Sequence, residues 1–312
     1  MNPLEDNLRA KESMTKLMQR RVGFVLLWAI SLVVGWRPLV DTFALSWRDD
    51  EYTHILLILP VSAALIFLEW RRLRTMVALN VRVGAAFLAI AVLIACSALV
   101  WSASLPSDVQ LSIGMLALVL SWIGIFVLCV GSRASRLVLF PLCFLLGLVP
   151  LPRLFLNAII ALLQNGSAWG ARVLFEAFSV PVSQNGILLT IPGLTVKVAQ
   201  ECSSIRSSSM LLITTMVLAQ LLLRSPWRKA LLIGLAIPLS VAKNALRIFT
   251  IAMLGTRVDA GYLTGRLHHQ GGIVFFAIVL SVVFILLFIL RRGETWPLNS
   301  ELNPYQSKAT GD

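Results

Sequence analysis

The chain has 312 residues, 58% of them hydrophobic and 13% charged. Soluble domains are less apolar and carry roughly 25% charged residues, so this composition, with a mean hydropathy of +0.84, excludes a soluble globular protein and points to a polytopic membrane protein. The formal net charge of +12 does not argue for nucleic acid, because most Lys and Arg stand at the ends of apolar runs, where the positive-inside rule puts them.

Residues 1–21 mix acids and bases, and no small-residue cleavage site follows the first apolar run, so they read as a cytoplasmic tail ahead of a retained span. A helix needs about 20 apolar residues to cross a bilayer. Runs of that kind fall at roughly 22–40, 53–69, 83–101, 111–131, 136–151, 206–223, 229–254 and 272–290, which predicts eight spans in one membrane domain, 22–292. The fifth run closes at "PLPR", since Pro152 resists continuing a helix. The stretch 153–180 intersperses Arg153, Asn157, Gln164, Asn165, Arg172 and Glu176 among apolar residues. It reads as an amphipathic helix at the membrane interface, broken at "NGS". "ILLTIPGLTVKVAQE" then alternates about a Pro-Gly turn, a hairpin pattern ahead of the sixth span. The expected fold is thus all-α, with about eight transmembrane helices, an interfacial segment and a small hairpin on the outer face.

Basic residues decide the sidedness. Arg9, Lys11, Lys16, Arg20 and Arg21 precede the first span, and Arg71, Arg72, Arg74 and Arg82 follow the second. Arg133 and Arg136 lie after the fourth, Arg224, Arg228 and Lys229 after the sixth, and Arg291 and Arg292 after the eighth. The intervening loops are poor in base: "DTFALSWRDDEY" holds four acids against one Arg, and "SASLPSDVQ" has no base. Both termini, including the short polar tail 293–312, are therefore expected in the cytoplasm.

On this topology one thiol stands out. Cys96, Cys129 and Cys143 sit in apolar runs, as small buried hydrophobes do. Cys202 lies in the polar stretch "AQECSSIRSSS", on the outer side, with no second cysteine there to pair with. No Cys/His spacing suits zinc, so no metal or other cofactor is expected. A thiolate is the reactive form of cysteine, and both a helix start and a nearby cation favour it. Cys202 precedes a helix and has Arg206 one turn on.

The seventh span carries "SVAKNALRIFT". Charge within a span costs about 2.5–3.5 kcal/mol at mid-helix on the insertion scale and usually marks function. Lys243, Asn244 and Arg247 are three or four apart and share one helical face. Arg247 stands about 10 Å below the outer end of its run. Lys243 reads as a structural pair or a snorkelling cation. "GRLHHQGGIVFF" places His268 and His269 just before the eighth span, about 100° apart on a helix, so that one of the two faces any given partner. His54, in "DDEYTHILLILP", reads as an interfacial structural residue. A thiol, a guanidinium and an imidazole suit acyl transfer: thiolate attack, oxyanion stabilisation and proton transfer to a leaving amine.

These motifs, in this order, resemble the exosortase/archaeosortase family of integral-membrane transpeptidases. "DDEYTHILLILPVSAALIFLEWRR" is similar to the family's early aromatic–Ser–His segment, with Thr53 where serine is usual. "GILLTIPGLTVKVAQECSSIRS" resembles the approach to its nucleophile, with Ser204 where glycine is usual. "SPWRKALLIGLAIPLSVAKNALRI" resembles its Asn-x-x-Arg helix, and "HHQGGIVFF" its His followed four residues later by Gly. The resemblance implies a catalytic set of Cys202, Arg247 and His268, with His269 as the alternative imidazole, and the residues around them offer Arg206 and Asn244 as supporting groups. It further implies cleavage of exported, membrane-tethered proteins at a C-terminal sorting signal, made of a short Pro-containing motif, an apolar span and a basic tail. The product would pass through a thioester to an acceptor nucleophile that the sequence leaves unnamed, in a setting of exopolysaccharide production. Two other classes share the topology. A membrane acyl- or glycosyl-transferase does not in general require a thiol. A transporter would carry mid-depth polar residues on many spans, and here the first five are nearly free of charge.

Overall fold

The computed structural model describes residues 22–75, 81–101, 103–198, 205–259, 261 and 266–294, the side chains of 74, 75, 81 and 266–271 excepted. Cys202, Ser204 and the tails 1–21 and 295–312 lie outside the described residues. The chain groups into two compact units, Met1–Ala161 and Leu162–Asp312.

The first unit is built from α1 (Val22–Val34), α2 (Trp36–Arg48), α3 (Ile55–Leu68), α4 (Trp70–Thr75), α5 (Val81–Val100), α6 (Ser107–Val130), α7 (Ser132–Leu137), α8 (Leu139–Phe144) and the start of α9 (Arg153–Ala177). Short 3-10 turns cover Asp50–Tyr52 and Leu145–Leu148. Local chemistry sets several of these boundaries. Asp49 accepts from Glu51 N at 3.0 Å and caps the turn before α3. Asp108 sits in the first turn of α6, where the helix dipole favours an acid. Gly131 ends α6 at a φ of 96°, a conformation that costs glycine nothing.

Among the described residues six helices are long and apolar enough to cross a membrane, and up to eight spans result if each of two bent pairs counts as one. The bends mark where the sequence expectation needs correcting. The first apolar run does not stop near residue 40: α2 carries helix on to Arg48, bent by 67° from α1, so "DTFALSW" is helical rather than loop. Its leucine, alanine and aromatic residues extend an apolar face that a charge count alone misses. The fifth run is not one rod. It breaks at Val138, and the pair Leu139–Leu148 and α9 meets at 100°.

That second break is held by side chains. Ser112 Oγ donates to Pro150 O at 2.6 Å, and Tyr52 Oη donates to Leu151 O at 2.8 Å. Arg153 N donates to Asp108 Oδ2 at 2.8 Å, and the Arg153 guanidinium lies 3.6 Å from Asp49 Oδ2. Backbone groups released by a broken helix must find partners in an apolar medium, and "PLPR" finds them here.

The second unit holds the rest of α9, three strands and three long helices. The expected break at "NGS" does not occur: α9 is continuous through Asn165, Gly166 and Ser167. A Cβ on Gly166 would lie 3.3 Å from Val241 Cγ1, and one on Gly170 2.9 Å from Ala245 Cβ. The glycines are therefore a Gly-x-x-x-Gly approach between helices, and the ascending pairs 166/241 and 170/245 make the two helices run parallel.

The strands are β1 (Ser183–Asn185), β2 (Leu188–Ile191) and β3 (Leu194–Lys197), antiparallel in the order β1-β2-β3. β1 is a strand that the alternation about Pro192-Gly193 does not include. Gly193, at a φ of 81°, permits the two-residue turn into β3. Leu189, Ile191, Leu194 and Val196 face a core formed with Ala168, Ala171, Phe175, Ala245, Ile248 and Ala252. The last three lie on α11 (Pro226–Arg257), which runs between α10 (Ile205–Leu222) and α12 (Arg266–Arg292) in sequence. A second core joins those three helices through Leu211, Ala219, Leu232, Val279, Val283 and Leu287.

Candidate active site at one end of three helices

One end of the α10–α11–α12 group is locked by reciprocal caps. Glu294, just after α12, accepts from Arg224 N at 3.0 Å and Ser225 N at 2.9 Å, filling orphan donors at the start of α11. Arg228 on α11 donates to Leu290 O at 2.8 Å and Gly293 O at 2.5 Å, filling orphan acceptors at the end of α12. Lys229 Nζ donates to Gln220 Oε1 at 2.8 Å and ties α10 into the same end.

Helix rise then gives the levels that the segments reach at the other end. At 1.5 Å per residue, α10 climbs about 26 Å from Leu222 back to Ile205, α11 about 29 Å from Arg228 to Arg247, and α12 about 33 Å from Leu290 back to His268. The start of α10, Arg247 and the His268 backbone thus come to levels within roughly a turn and a half of one another, since a turn is about 5.4 Å.

Two cross-helix contacts join α10 to α11 just short of that level. Lys243 Nζ donates to Ser207 Oγ, and Ser208 Oγ lies 2.6 Å from Ser240 Oγ. Lys243 is 7% exposed, so the ammonium is held inside the helix group and does not snorkel. Arg247 is one turn beyond Lys243, toward the end where α10 begins. It is half-buried, with its Nε buried. α11 continues to Arg257, so Arg247 stands about 15 Å from the helix end, deeper than the 10 Å that the apolar run implies. Asn244 is buried at 1% exposure, and its Nδ2 has no hydrogen-bond partner among the described residues. An unfilled amide donor in a buried polar row is costly and is of the kind that oxyanion sites use.

Arg206 is the second residue of α10 and is exposed. His268 and His269 lie in the first turn of α12, where the backbone is described. Cys202, three residues ahead of Ile205, lies outside the described residues. His54 belongs to the first unit. Its Nδ1 lies 3.1 Å from Glu51 O, which fits a residue that secures the turn into α3. Among the described residues no group of His, Cys, Asp or Glu could hold a metal ion.

The family model for the transmembrane exosortase (Exosortase_EpsH) matches residues 46–285. The chain belongs to the transmembrane exosortase family. Exosortases are membrane-embedded sorting transpeptidases of the cysteine class, and the match includes α10, α11 and the start of α12, hence every candidate residue above. No curated protein matches this exosortase, and no solved structure does.

Sequence reasoning missed Ser207, Ser208 and Ser240. In this exosortase Ser240, Lys243, Asn244 and Arg247 repeat every three or four residues along α11, which marks a polar face. That signal extends to Ser240, but nothing local tells which serines of α10 answer it.

Proposed function

We propose that this exosortase cuts the C-terminal sorting signal of exported, membrane-tethered proteins with Cys202 as nucleophile, Arg247 as oxyanion partner and His268 as proton carrier, His269 being the alternative. The supporting observation is the return of three chain segments to one end of a helix group, combined with a half-buried guanidinium at that level.

The chemistry follows from residue types. Cys202 Sγ, as thiolate, attacks the scissile carbonyl carbon, and the oxygen takes the negative charge. A guanidinium in a low-dielectric setting holds that charge through a fixed fork of donors, with the Asn244 amide beside it and Arg206 adding positive potential at the helix start. The C–N bond breaks as the imidazolium gives its proton to the leaving amine. The resulting thioester passes its acyl group to an acceptor nucleophile, or to water, and the thiolate is regenerated. A tethered substrate arrives by lateral diffusion at high effective concentration. The basic loops put both termini in the cytoplasm and the site on the outer face of the cell membrane.

Replacing Cys202 by Ala abolishes processing with expression retained, and Arg247→Lys lowers it by about two orders of magnitude, the scale of losing one oxyanion donor. The assay is cleavage of a tethered reporter bearing such a signal, read on blots. Full processing by the Cys202→Ala enzyme overturns the thiol mechanism.

A further inference from the structure

β3 ends at Lys197, five residues before Cys202. Among the described residues the sheet order is β1-β2-β3, which makes β3 an edge strand. Its inner face is fixed: Leu194 and Val196 pack on the core shared with α9 and α11. Which way its backbone groups point can be derived. Val198 N donates to Ile187 O at 2.9 Å, so 187 and 198 are a hydrogen-bonded pair. Alternation along an antiparallel ladder makes 189/196 and 191/194 hydrogen-bonded pairs as well. The pairs 188/197 and 190/195 are then the non-bonded kind, consistent with Thr190 Oγ1 and Thr195 Oγ1 at 3.5 Å. The N–H and C=O groups of Thr195 and Lys197 therefore point away from β2, along the outer edge, and both residues are exposed. On β2, residues 188 and 190 serve β1, so on β1 the outward residue is Gln184.

We infer that the outer edge of β3 is the substrate-binding edge of this enzyme, where an extended stretch of the exported protein next to its cleavage site adds as a fourth strand through the backbone of Thr195 and Lys197. The inference rests on Cys202 being the nucleophile. Such an edge takes an extended polypeptide and no other ligand class, because its donors and acceptors repeat at the strand period. Five residues of chain reach at most about 18 Å, so a peptide seated on this edge lies within a few of its own residues of the thiol. β1, the other edge, is separated from Cys202 by both remaining strands in sequence.

Proline tests the edge directly, since it removes an N–H but is tolerated at edge positions whose N–H faces outward. Thr195→Pro and Lys197→Pro are expected to raise KM for the tethered reporter about five- to tenfold each, the scale of one lost hydrogen bond. kcat and the rate of Cys202 alkylation by a small maleimide stay near wild type, and Gln184→Pro leaves all three unchanged. Wild-type KM in both β3 variants overturns the inference, with Cys202-dependent cleavage by the unaltered enzyme upholding the thiol reading independently. A second measurement needs no turnover. Benzoylphenylalanine placed at Lys197 in the Cys202→Ala enzyme is expected to crosslink the reporter, and the same probe at Gln184 is not. Equal capture at the two positions, or capture at Gln184 alone, overturns the inference.

Discussion

Lys243 shows how a buried charge can be structural in a protein whose neighbouring charge is proposed to be catalytic. Its ammonium is enclosed and donates to Ser207 Oγ, a neutral acceptor. Removing the acceptor leaves a buried cation short of a bond, whereas removing the cation leaves a serine that can turn to another partner. Ser207→Ala is accordingly expected to destabilise the detergent-solubilised protein by about 1–3 kcal/mol. Lys243→Met is expected to cost less, because apolar replacement of a buried charge is often neutral. Thermal unfolding of the two variants and their double mutant checks this, and a Lys243→Met cost above that of Ser207→Ala would refute it. The polar face of α11 was legible from spacing alone, as Lys243, Asn244 and Arg247 recur with helical period. Ser207 was not, because contacts between helices leave no local pattern. Cys202 is singled out by its polar setting in the sequence, and it lies outside the described residues.

For single elements, the instructive case is α9. "NGS" carries the composition of a turn, and the helix runs through it because the glycines meet α11 rather than solvent. A packing glycine and a turn glycine look alike until the neighbour is known. The neighbours also decide what an added methyl does. Gly170→Ala puts a Cβ 2.9 Å from Ala245 Cβ, a rigid atom, and overpacking of that kind costs about 1–3 kcal/mol. Gly234, inside α11, has nothing within 4 Å of its added Cβ, so Gly234→Ala is expected to stabilise by about 0.5–1 kcal/mol through helix propensity. Opposite shifts in melting temperature are the expected outcome, and equal shifts would dismiss the close approach of α9 to α11. The helical, multi-span class was legible from composition and run length. The 100° bend was not, because it depends on partners such as Ser112, Tyr52 and Asp108 that lie far along the chain.

Across the molecule as a whole, the locked end of the three helices makes stability respond to pH. The N–H groups of Ser225 and Arg224 and the guanidinium of Arg228 hold the Glu294 carboxyl below its usual range, Ser225 contributing most. A lowered folded-state pKa gives stability that is fully present above the ordinary carboxylate value, about 4.3, and that is lost as pH falls through the lowered value. Glu294 is partly exposed, so the effect is small: Glu294→Gln should lower the melting temperature slightly at neutral pH, and the gap from wild type should close on acidification below about pH 4. A gap that persists unchanged at low pH would show that the carboxylate charge plays no part. The length of α11 bears on the other end of the group. Its 32 residues extend about 48 Å, against a hydrocarbon core of about 30 Å. The helix must tilt or emerge, and the strands ride on its later half, at Ala245 to Ala252. If the β3 edge binds substrate as inferred, bilayer thickness becomes a setting of the enzyme: thicker membranes would draw that edge toward hydrocarbon, and thinner ones would lift it into the headgroups, where an extended strand can keep its water until it docks.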